Sequence, residues 1–540
     1  MKSRLITLLQ QETTINLRSL YLGFLIIGIS NALVLLFVHD ATTGTTDATD
    51  LRTVLMFVAT VVVFAATKRN ITISLTEHVQ DAVSRLRIRL INRIQYTRLQ
   101  AFEALDRAQL INAVSENSAV IMEGARHYGQ GVPAGIMLVA SFIYIAYLSL
   151  PALYLVVVCV AACAWVVLHL NRSIGADMRT SIQREDEFLK SFQQLMDGFQ
   201  ELKMDHLMSR DLFDNYLRKS SLEARVLNTN TAISIVESEI YTYIFFYILL
   251  GGILFVLPRI SDITPTNTLS VTTILLFLLG NGTVFVQALP NITKTDTAID
   301  NMLSLAAALD DLEAPPESLP PNPWRGGVRG ELRAVDLYFR YPGPEETAFS
   351  VQLDNVTIPG NELLFLLGGN GSGKSTFMKL LAGLYRPTHG RLQLDNIPVS
   401  PENVQHYREC FGVVFADFHL FDRLYGHPEV DESRVAALLR EMQLEDKTQY
   451  AGRRFTNLNL STGQRKRLAL ATALLEDRPI YLFDEVAADQ DPEFRRYFYE
   501  GILRNLKARG KTVVVVSHDD RYFGIADRVL KLDYGRLVNA

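Results

Sequence analysis

Six long apolar stretches occupy the first 300 residues of this 540-residue chain and limit its possible folds more than any other feature. A helix needs about 20 apolar residues to cross the hydrocarbon core of a bilayer, so each stretch predicts a membrane-spanning helix. The third and fourth run together through Ser149 and Pro151, so the turn between them must be tight. The stretches are 18–39, 51–68, 130–150, 151–170, 236–257 and 268–290.

Positively charged residues indicate how these helices are oriented. The connections 68–129 and 171–235 each carry nine Lys and Arg residues, whereas 39–50 carries none. Because cytosolic loops are enriched in Lys and Arg, both long connections and both termini are predicted to be cytoplasmic. Pro and Gly seldom interrupt the connections, so we expect helices that extend into the cytosol. Their tips, near 102–112 and 204–214, are candidate contacts with a second domain.

Polar residues inside the predicted spans are candidates for a substrate cavity, since such residues are costly in a bilayer and often functional. Glu239, Tyr243 and Tyr247 recur at i, i+4 and i+8, which places them on one face of the fifth helix. Hydrogen bonding between helices is the alternative interpretation. The candidate set is Asn31, Glu239, Tyr243, Tyr247, Asn281 and Gln287.

The composition changes after residue 312. Residues 313–327 contain five prolines and no periodicity, which predicts a stiff linker. Beyond it, short strand-like and helix-like segments alternate, as in α/β domains. We therefore predict a transmembrane domain over 1–312, a linker over 313–327 and an α/β domain over 328–540. The net charge of −5 gives no reason to expect nucleic acid as a partner.

A glycine-rich loop after a buried strand predicts a phosphate-binding site. Residues 363–367 (LLFLL) precede GGNGSGKST (368–376) and an amphipathic helix. This order matches G-x-x-x-x-G-K-S/T, in which backbone N–H groups surround a phosphate. Lys374 is expected to reach the β- and γ-phosphates of a nucleotide, and Ser375 to offer its hydroxyl to Mg²⁺. The predicted set is Gly368, Asn370, Gly371, Ser372, Gly373, Lys374, Ser375 and Thr376.

Two later strands end in residues suited to phosphate chemistry. Residues 480–483 (IYLF) lead into Asp484 and Glu485, and 512–516 (TVVVV) lead into Ser517 and His518. Ligands bind at the carboxyl ends of parallel strands, so these side chains are expected near the phosphates. Asp484 is predicted to reach Mg²⁺ through water, Glu485 to activate the attacking water, and His518 to contact the γ-phosphate.

A second helix N-terminus is also suited to a phosphate. In LNLSTGQRKRLALATALL (458–475), a long helix opens at Ser461-Thr462-Gly463-Gln464. This segment follows Lys374 by nearly ninety residues, so one chain would hold two phosphate-binding helix ends.

These motifs resemble the ATP-binding cassette (ABC) family of exporters over the whole chain. GGNGSGKST is similar to the Walker A loop, IYLFDE to the Walker B strand, LSTGQ to the signature motif, and SHDD to the segment with the switch histidine. The resemblance implies ATP and Mg²⁺ as cofactors and ATP hydrolysis coupled to transport. It also implies that Asp491 is the acid of the D-loop (AADQD) and that adenine stacks on Tyr341. A strand-edge tyrosine is the alternative for Tyr341.

In this family the signature motif of one subunit completes the ATP site of the other. That arrangement would account for the second helix end. The resemblance therefore implies a homodimer of half-transporters, each with one membrane domain and one cassette. It places them in the bacterial inner membrane.

Two positions depart from the family pattern. The signature has Thr462 where the family usually has glycine, and Ala416 stands where a glutamine usually contacts Mg²⁺ and water. Ala416 lies in GVVFADFHLFD (412–422), whose Asp417 and His419 alone would suggest a metal site, an acid–base pair or a solvated strand end. We expect Asp417 to take over part of the water or Mg²⁺ contact, the 417–422 loop to touch the membrane domain, and His419 to pack there.

FADFHLFD and DEVAADQDPEFR are similar to one branch of the family, bacterial exporters of cyclic peptides and peptide siderophores (the syringomycin, pyoverdine and microcin export type). This similarity implies that the protein is embedded in lipid. It also implies that the protein exports a cyclic or modified peptide, or a siderophore or its precursor. A multidrug or lipid exporter is the main alternative, and an ATP-gated channel or regulator is the minor one.

Overall fold

The structure is a computed structural model that describes residues 4–43, 51–105, 107–261, 263–309, 319–343, 348–427 and 429–539. The chain divides into two compact units. Unit 1 comprises Met1–Arg89 and Leu110–Leu305, and unit 2 comprises Leu90–Gln109 and Ala306–Ala540. Unit 2 therefore includes a segment from within the range 1–312, which the sequence had assigned to a single transmembrane domain.

Long helices form the first part of the chain. Two of them continue through short π-helical segments, Leu212–Leu217 and Gly252–Val256. In chain order the helices are α1 Arg4–Glu12, α2 Leu17–Thr43, α3 Leu51–Tyr96, α4 Leu99–Glu103, α5 Arg107–Leu148, α6 Leu150–Asp197, α7 Phe199–Met204, α8 His206–Asp211, α9 Arg218–Gly251, α10 Leu257–Ile260 and α11 Pro265–Ala308.

Within the described residues, five segments are long and apolar enough to cross a membrane. The fourth predicted span, 151–170, overlaps a shorter apolar segment, Leu150–Val166. Ser149 separates α5 from α6, because its side chain accepts a hydrogen bond from the backbone N–H of Ala152 and caps α6. The tight turn is confirmed, while the sixth span stays a prediction. The five segments lie in Leu17–Val38, Leu51–Tyr96, Ala113–Leu148, Ile240–Ile260 and Pro265–Ala308.

The predicted helical extensions are confirmed. Helix α3 has 46 residues and α6 has 48. At 1.5 Å per residue, α6 is about 70 Å long, more than twice the thickness of the hydrocarbon core. These helices therefore continue well beyond their apolar stretches.

Strands and short helices alternate in unit 2. The helices are α12 Lys374–Leu381, α13 Val404–Arg408, α14 Glu432–Glu441, α15 Thr462–Leu475, α16 Pro492–Arg496 and α17 Arg504–Ala508. The strands are β1 Leu332–Arg340, β2 Ser350–Leu353, β3 Val356–Ile358, β4 Leu363–Leu367, β5 His389–Leu394, β6 Ile397–Pro398, β7 Phe411–Val414, β8 Tyr450–Ala451, β9 Arg454–Phe455, β10 Ile480–Asp484, β11 Thr512–Val516, β12 Arg528–Asp533 and β13 Arg536–Asn539.

The sheet of unit 2 brings four predicted motifs to one edge. Its strand order is β6-β5-β1-β2-β13-β12-β4-β11-β10-β7, and β3 pairs with β1. Strands β12, β4, β11, β10 and β7 are mutually parallel neighbours. The carboxyl ends of β4, β11, β10 and β7 therefore share one edge, where parallel sheets bind their ligands.

Alternate side chains of the central strands pack into two different cores. Leu364 and Leu366 of β4 lie in one apolar cluster, and Leu363 and Phe365 lie in the other. Because successive side chains of a strand point to opposite faces, β4 is covered on both sides. This burial fixes the position of the loop that follows β4.

The second half of the predicted linker is part of unit 2. Trp324 is 5% exposed and lies in the same core cluster as Leu394 and Tyr407. Its indole Nε1–H donates to the carbonyl oxygen of Leu394 at 3.2 Å. This part of the predicted stiff linker is therefore anchored to the α/β core by a buried indole. Residues 313–318 lie outside the described residues.

Candidate nucleotide-binding site

The loop after β4 has the backbone conformation of a phosphate-binding loop. Gly371 and Gly373 adopt positive φ angles of 76° and 103°, which glycine tolerates because it has no Cβ. Lys374 begins α12 and turns its ammonium group back over the loop. It donates to the carbonyl oxygens of Gly368 and Gly369, each at 2.9 Å.

The polar groups of this loop fit a nucleotide phosphate. Lys374 is 6% exposed, and its bonds to the loop go to neutral carbonyl oxygens. The hydroxyl of Ser372 is buried without a hydrogen-bond partner among the described residues. A buried cation and an unpaired hydroxyl are both stabilised by an anionic oxygen. Asn370 and Gly371 lie at the exposed tip of the loop.

Ser375 and Asp484 join the loop to the end of β10. Ser375 Oγ donates to Asp484 Oδ2 at 3.0 Å, and Asp484 is 3% exposed. Burial raises the pKa of the Asp484 carboxyl, while the hydrogen bonds from Ser375 and from the backbone N–H of Ala416 oppose that rise. Hydroxyl and carboxylate oxygens are the ligands that Mg²⁺ prefers, so this pair fits the predicted Mg²⁺ role.

Glu485 and His518 lie together at the same edge. The last residue of β10, Asp484, pairs with Val516 of β11, so the residues that follow these strands are neighbours. His518 Nε2 lies 3.2 Å from Glu485 Oε1. Glu485 adopts a left-handed backbone conformation with φ of 51°, which is costly for a residue with a side chain. This turn directs the carboxylate away from the strand and towards His518.

The predicted signature residues form a helix cap. Ser461 Oγ accepts from the backbone N–H of Gln464, and Gln464 Oε1 accepts from the backbone N–H of Ser461. Ser461 and Thr462 are exposed. A Cβ at Gly463 would lie 2.8 Å from the carbonyl oxygen of Asp489, so the glycine is required for this approach. Ser461, Gly463 and Gln464 thus have a structural role in addition to their predicted contact with a phosphate.

The predicted D-loop acid, Asp491, caps α16. Its carboxylate accepts from the backbone N–H groups of Glu493 and Phe494 and pairs with Arg467. The bond from Phe494 and the charge of Arg467 lower the pKa of the Asp491 carboxyl. Asp491 therefore holds the D-loop to α15.

Tyr341 lies beside the P-loop helix. Its hydroxyl is 3.0 Å from Thr376 Oγ1 and 3.5 Å from Tyr385 Oη. Its ring packs edge-on against Phe339 and Tyr385. Both Tyr341 and Thr376 thus lie next to the nucleotide-binding loop. Stacking of adenine on Tyr341 stays a prediction.

The segment after β7 contributes a main-chain contact. Ala416 donates its backbone N–H to Asp484, whereas Asp417 and His419 are exposed. The ring of His419 packs edge-on against Phe421, with centroids 4.9 Å apart. Among the described residues, no group of three His, Cys, Asp or Glu side chains is arranged to hold a metal. A role for Asp417 at Mg²⁺ or water stays a prediction.

The candidate cavity residues of unit 1 have mixed surroundings. Asn31 Nδ2 lies 3.0 Å from Met137 Sδ on another helix, and Asn281 Nδ2 donates to the carbonyl oxygen of Phe277 in its own helix. The first contact favours helix packing for Asn31, whereas the second pairs Asn281 within its own helix. Tyr243 and Tyr247 are 43% and 61% exposed. Gln287 makes a polar or electrostatic contact, and the side chain of Glu239 lies outside the described residues.

Sequence reasoning named the tip near 102–112 as a candidate contact but did not predict the bonds of Glu103 within it, and it missed a pair of buried cations. In unit 2, Glu103 of α4 accepts from Lys379 Nζ at 2.9 Å and from Tyr385 Oη at 2.6 Å. Lys466 and Arg467 of α15 are buried cations bonded to the D-loop. The one signal for these cations was the run RKR (465–467) in a helix that is apolar over most of its remaining length.

The comparison with protein families agrees with this geometry. Residues 351–488 match the family model described as ABC transporter, and this range holds the P-loop, α15 and Glu485. The matched range thus includes both helix N-termini that the sequence predicted to bind phosphate.

The similarity to known proteins extends beyond residues 351–488. The ATP-binding protein SyrD of Pseudomonas syringae pv. syringae is 34% identical over 361 residues, which are 64% of this chain and 62% of that protein. The ATP-dependent lipid A-core flippase of Chromohalobacter salexigens is 29% identical over 262 residues, which are 46% of this chain and 45% of the flippase. The match thus spans less than two thirds of either relative.

The solved structure of a bacterial Atm1-family ABC exporter with ATP bound has the same fold. It matches with a TM-score of 0.75 and 19% identity, over 97% of this chain and 94% of that chain. The predicted fold class is therefore confirmed, with a helical membrane domain of exporter type followed by an α/β P-loop domain.

Proposed function

We propose that two copies of this chain form an ATP-driven exporter of a cyclic or modified peptide, or of a siderophore or its precursor, in the bacterial inner membrane. The observation that carries the ATPase proposal is the pair of contacts Ser375–Asp484 and Glu485–His518 at the P-loop edge. The exposure of Ser461 and Thr462 at the start of α15 supports a homodimer, since a partner subunit can reach them.

Each side chain has a defined task in hydrolysis. Lys374 exchanges its carbonyl partners for phosphate oxygens, which it neutralises. Glu485 accepts a proton from the attacking water, and His518 holds the Glu485 carboxylate in place and contacts the γ-phosphate. Ser375 and Asp484 would hold Mg²⁺, which supplies charge neutralisation for the phosphates when bound. Binding of two ATP molecules closes the dimer, and hydrolysis reopens it.

The extent of the similarity supports a peptide-like substrate. The match to SyrD covers 64% of this chain and that to the flippase 46%, so the SyrD match reaches further beyond the α/β domain. The segments FADFHLFD and DEVAADQDPEFR support the same branch. Tyr243 and Tyr247, which lie exposed on one face of α9, suit an amphiphile with polar and apolar surfaces.

Lipid export is the second candidate, because the flippase similarity also reaches 46% of this chain. Proteoliposomes distinguish the two. We expect ATP-dependent accumulation of a cyclic lipopeptide or peptide siderophore and ATPase stimulation by it. Stimulation by a lipid, with none by any peptide, would contradict the peptide proposal. Passive flux with bound ATP and no turnover would instead indicate a channel.

The ATPase proposal is tested by Glu485→Gln, which retains the shape of the side chain but removes the base. We expect ATP to remain bound and its hydrolysis to fall by at least about 100-fold. Glu500→Gln, a change at an exposed glutamate, is the matched control. Hydrolysis by Glu485→Gln at the rate of this control would show that Glu485 is not the base.

A further inference from the structure

Two adjacent cations of α15 are buried and bonded to the segment that follows the Walker B strand. Lys466 is 7% exposed and Arg467 is 9% exposed. Buried cations are costly unless they are fully paired. The identity of their partners therefore shows what these two residues stabilise.

Lys466 binds the turn that contains the proposed catalytic base. Its Nζ donates to the carbonyl oxygen of Glu485 at 3.0 Å, to that of Ala488 at 3.3 Å, and to Asp489 Oδ2 at 3.0 Å. An ammonium group has three donors, so these contacts use all of them. The backbone N–H of Ala488 also donates to the carbonyl oxygen of Glu485, at 3.2 Å. The cation thus lies at the centre of this turn.

The turn needs such support, because both its ends are left-handed. Glu485 has φ of 51° and Asp489 has φ of 62°. A left-handed residue other than glycine costs roughly 1 kcal/mol or more. Lys466 offsets that cost by binding the carbonyl oxygens that the turn directs inward. The direction of the Glu485 side chain therefore depends on Lys466.

Further contacts join the same turn to the start of α15. Arg467 Nε donates to Gln490 Oε1 at 2.8 Å, and Gln490 Nε2 donates to the carbonyl oxygen of Gly463 at 3.0 Å. Arg467 also pairs with Asp491. The signature residues and the segment 485–491 are consequently held as one rigid element.

We infer that Lys466 is a positioning residue that fixes the Glu485 carboxylate and links its position to the signature helix. The second part rests on the proposed function, in which the signature motif contacts the ATP of the partner subunit. Nucleotide at the partner's site moves α15, and Lys466 carries that movement to Glu485 of its own chain. Each site then hydrolyses ATP fastest when the other is occupied.

The test measures ATPase activity of the full chain in nanodiscs as a function of ATP concentration. Lys466→Met keeps the length of the side chain and removes its donors. We expect kcat to fall about tenfold or more, because small misplacement of a catalytic group is costly. The KM for ATP should stay within about threefold and the Hill coefficient should fall towards 1. Lys447→Met, at an exposed lysine, is the control.

A loss of stability must be separated from a loss of positioning. Lys466→Gln, whose amide retains donors, is measured beside Lys466→Met, with thermal unfolding of both, and should have an intermediate kcat. A double-mutant cycle with Asp489→Asn should be non-additive, since the two side chains are in contact.

Three results would overturn the inference. The first is a folded Lys466→Met variant with the kcat and Hill coefficient of the wild type. The second is a raised KM with unchanged kcat in that variant. The third is full additivity of the effects of Lys466→Met and Asp489→Asn. A wild-type chain without ATPase activity would overturn the proposed function and the inference with it. An active wild type beside an equally active Lys466→Met would overturn the inference alone.

Discussion

His518 Nε2 lies 3.2 Å from Glu485 Oε1, although the two residues are 33 positions apart in the chain. The parallel pairing of β10 with β11 brings them together, because both follow the final residues of adjacent strands. Their side chains are half-exposed, at 50% and 36%, and are therefore accessible to a nucleotide and to water.

This contact predicts the effect of removing the imidazole. His518→Gln should lower kcat by about 100-fold, since the Glu485 carboxylate loses the group that orients it. ATP binding, measured with a fluorescent analogue, should change little. His389→Gln, at an exposed histidine of β5, is the control. Equal activity of the two variants would remove His518 from the mechanism.

The raised pKa of Asp484 predicts that, as the pH falls, binding of Mg²⁺–ATP weakens at a higher pH than an ordinary aspartate would allow. Burial disfavours the charged carboxylate, so this group takes up a proton at a higher pH than an ordinary aspartate. Only the ionised form holds Mg²⁺ well. The apparent affinity for Mg²⁺ at fixed ATP, measured across a pH series, should therefore fall while ordinary carboxyls are still ionised. A flat profile down to the ordinary range of Asp would contradict this.

The same pKa predicts a stabilising substitution. A carboxyl whose pKa is raised in the folded state contributes most stability at low pH, and that contribution is lost as the pH rises through the raised value. At neutral pH without Mg²⁺, Asp484→Asn should therefore raise the melting temperature. It should also abolish Mg²⁺-dependent ATPase activity. The gain in melting temperature should vanish below about pH 4, where the wild-type carboxyl is neutral too.

Asp417 tests whether a neighbouring acid replaces the glutamine that is absent at position 416. We predict that Asp417→Ala lowers ATPase activity about tenfold and raises the Mg²⁺ concentration needed for half-maximal rate. Its control is Asp446→Ala, at another exposed aspartate of the same domain. Normal ATPase activity and normal transport in Asp417→Ala would refute the prediction.

Glu103 links α4 to the P-loop helix, and we predict that transport depends on this link. It binds Lys379 of α12 and Tyr385 just beyond it, and burial together with this bond raises the pKa of Tyr385. Glu103→Ala should lower the number of substrate molecules transported per ATP about tenfold. A factor of about ten is typical of the coupling between two sites. Basal ATPase activity should fall much less. Parallel loss of both activities would indicate a purely structural role.

The parts of the site that the sequence predicts are those within one strand–loop–helix unit or at a strand end. Lys374 and Asp484 follow directly from the order of apolar and polar residues around them. Lys466 and Arg467 do not, because a basic pair in a helix usually faces solvent, and their partners follow a later strand. Trp324 was missed for the same reason, since the carbonyl group it binds is 70 residues away.

The contact between Ala416 and Asp484 has a consequence for genetics. The donor is a backbone N–H group, so almost any side chain at position 416 leaves the bond intact. A mutational scan of this position would report tolerance and overlook the contact. Only proline, which lacks the N–H group, or an ester in place of the amide would expose it. Position 416 can therefore drift in sequence while β7 continues to hold the acid of β10.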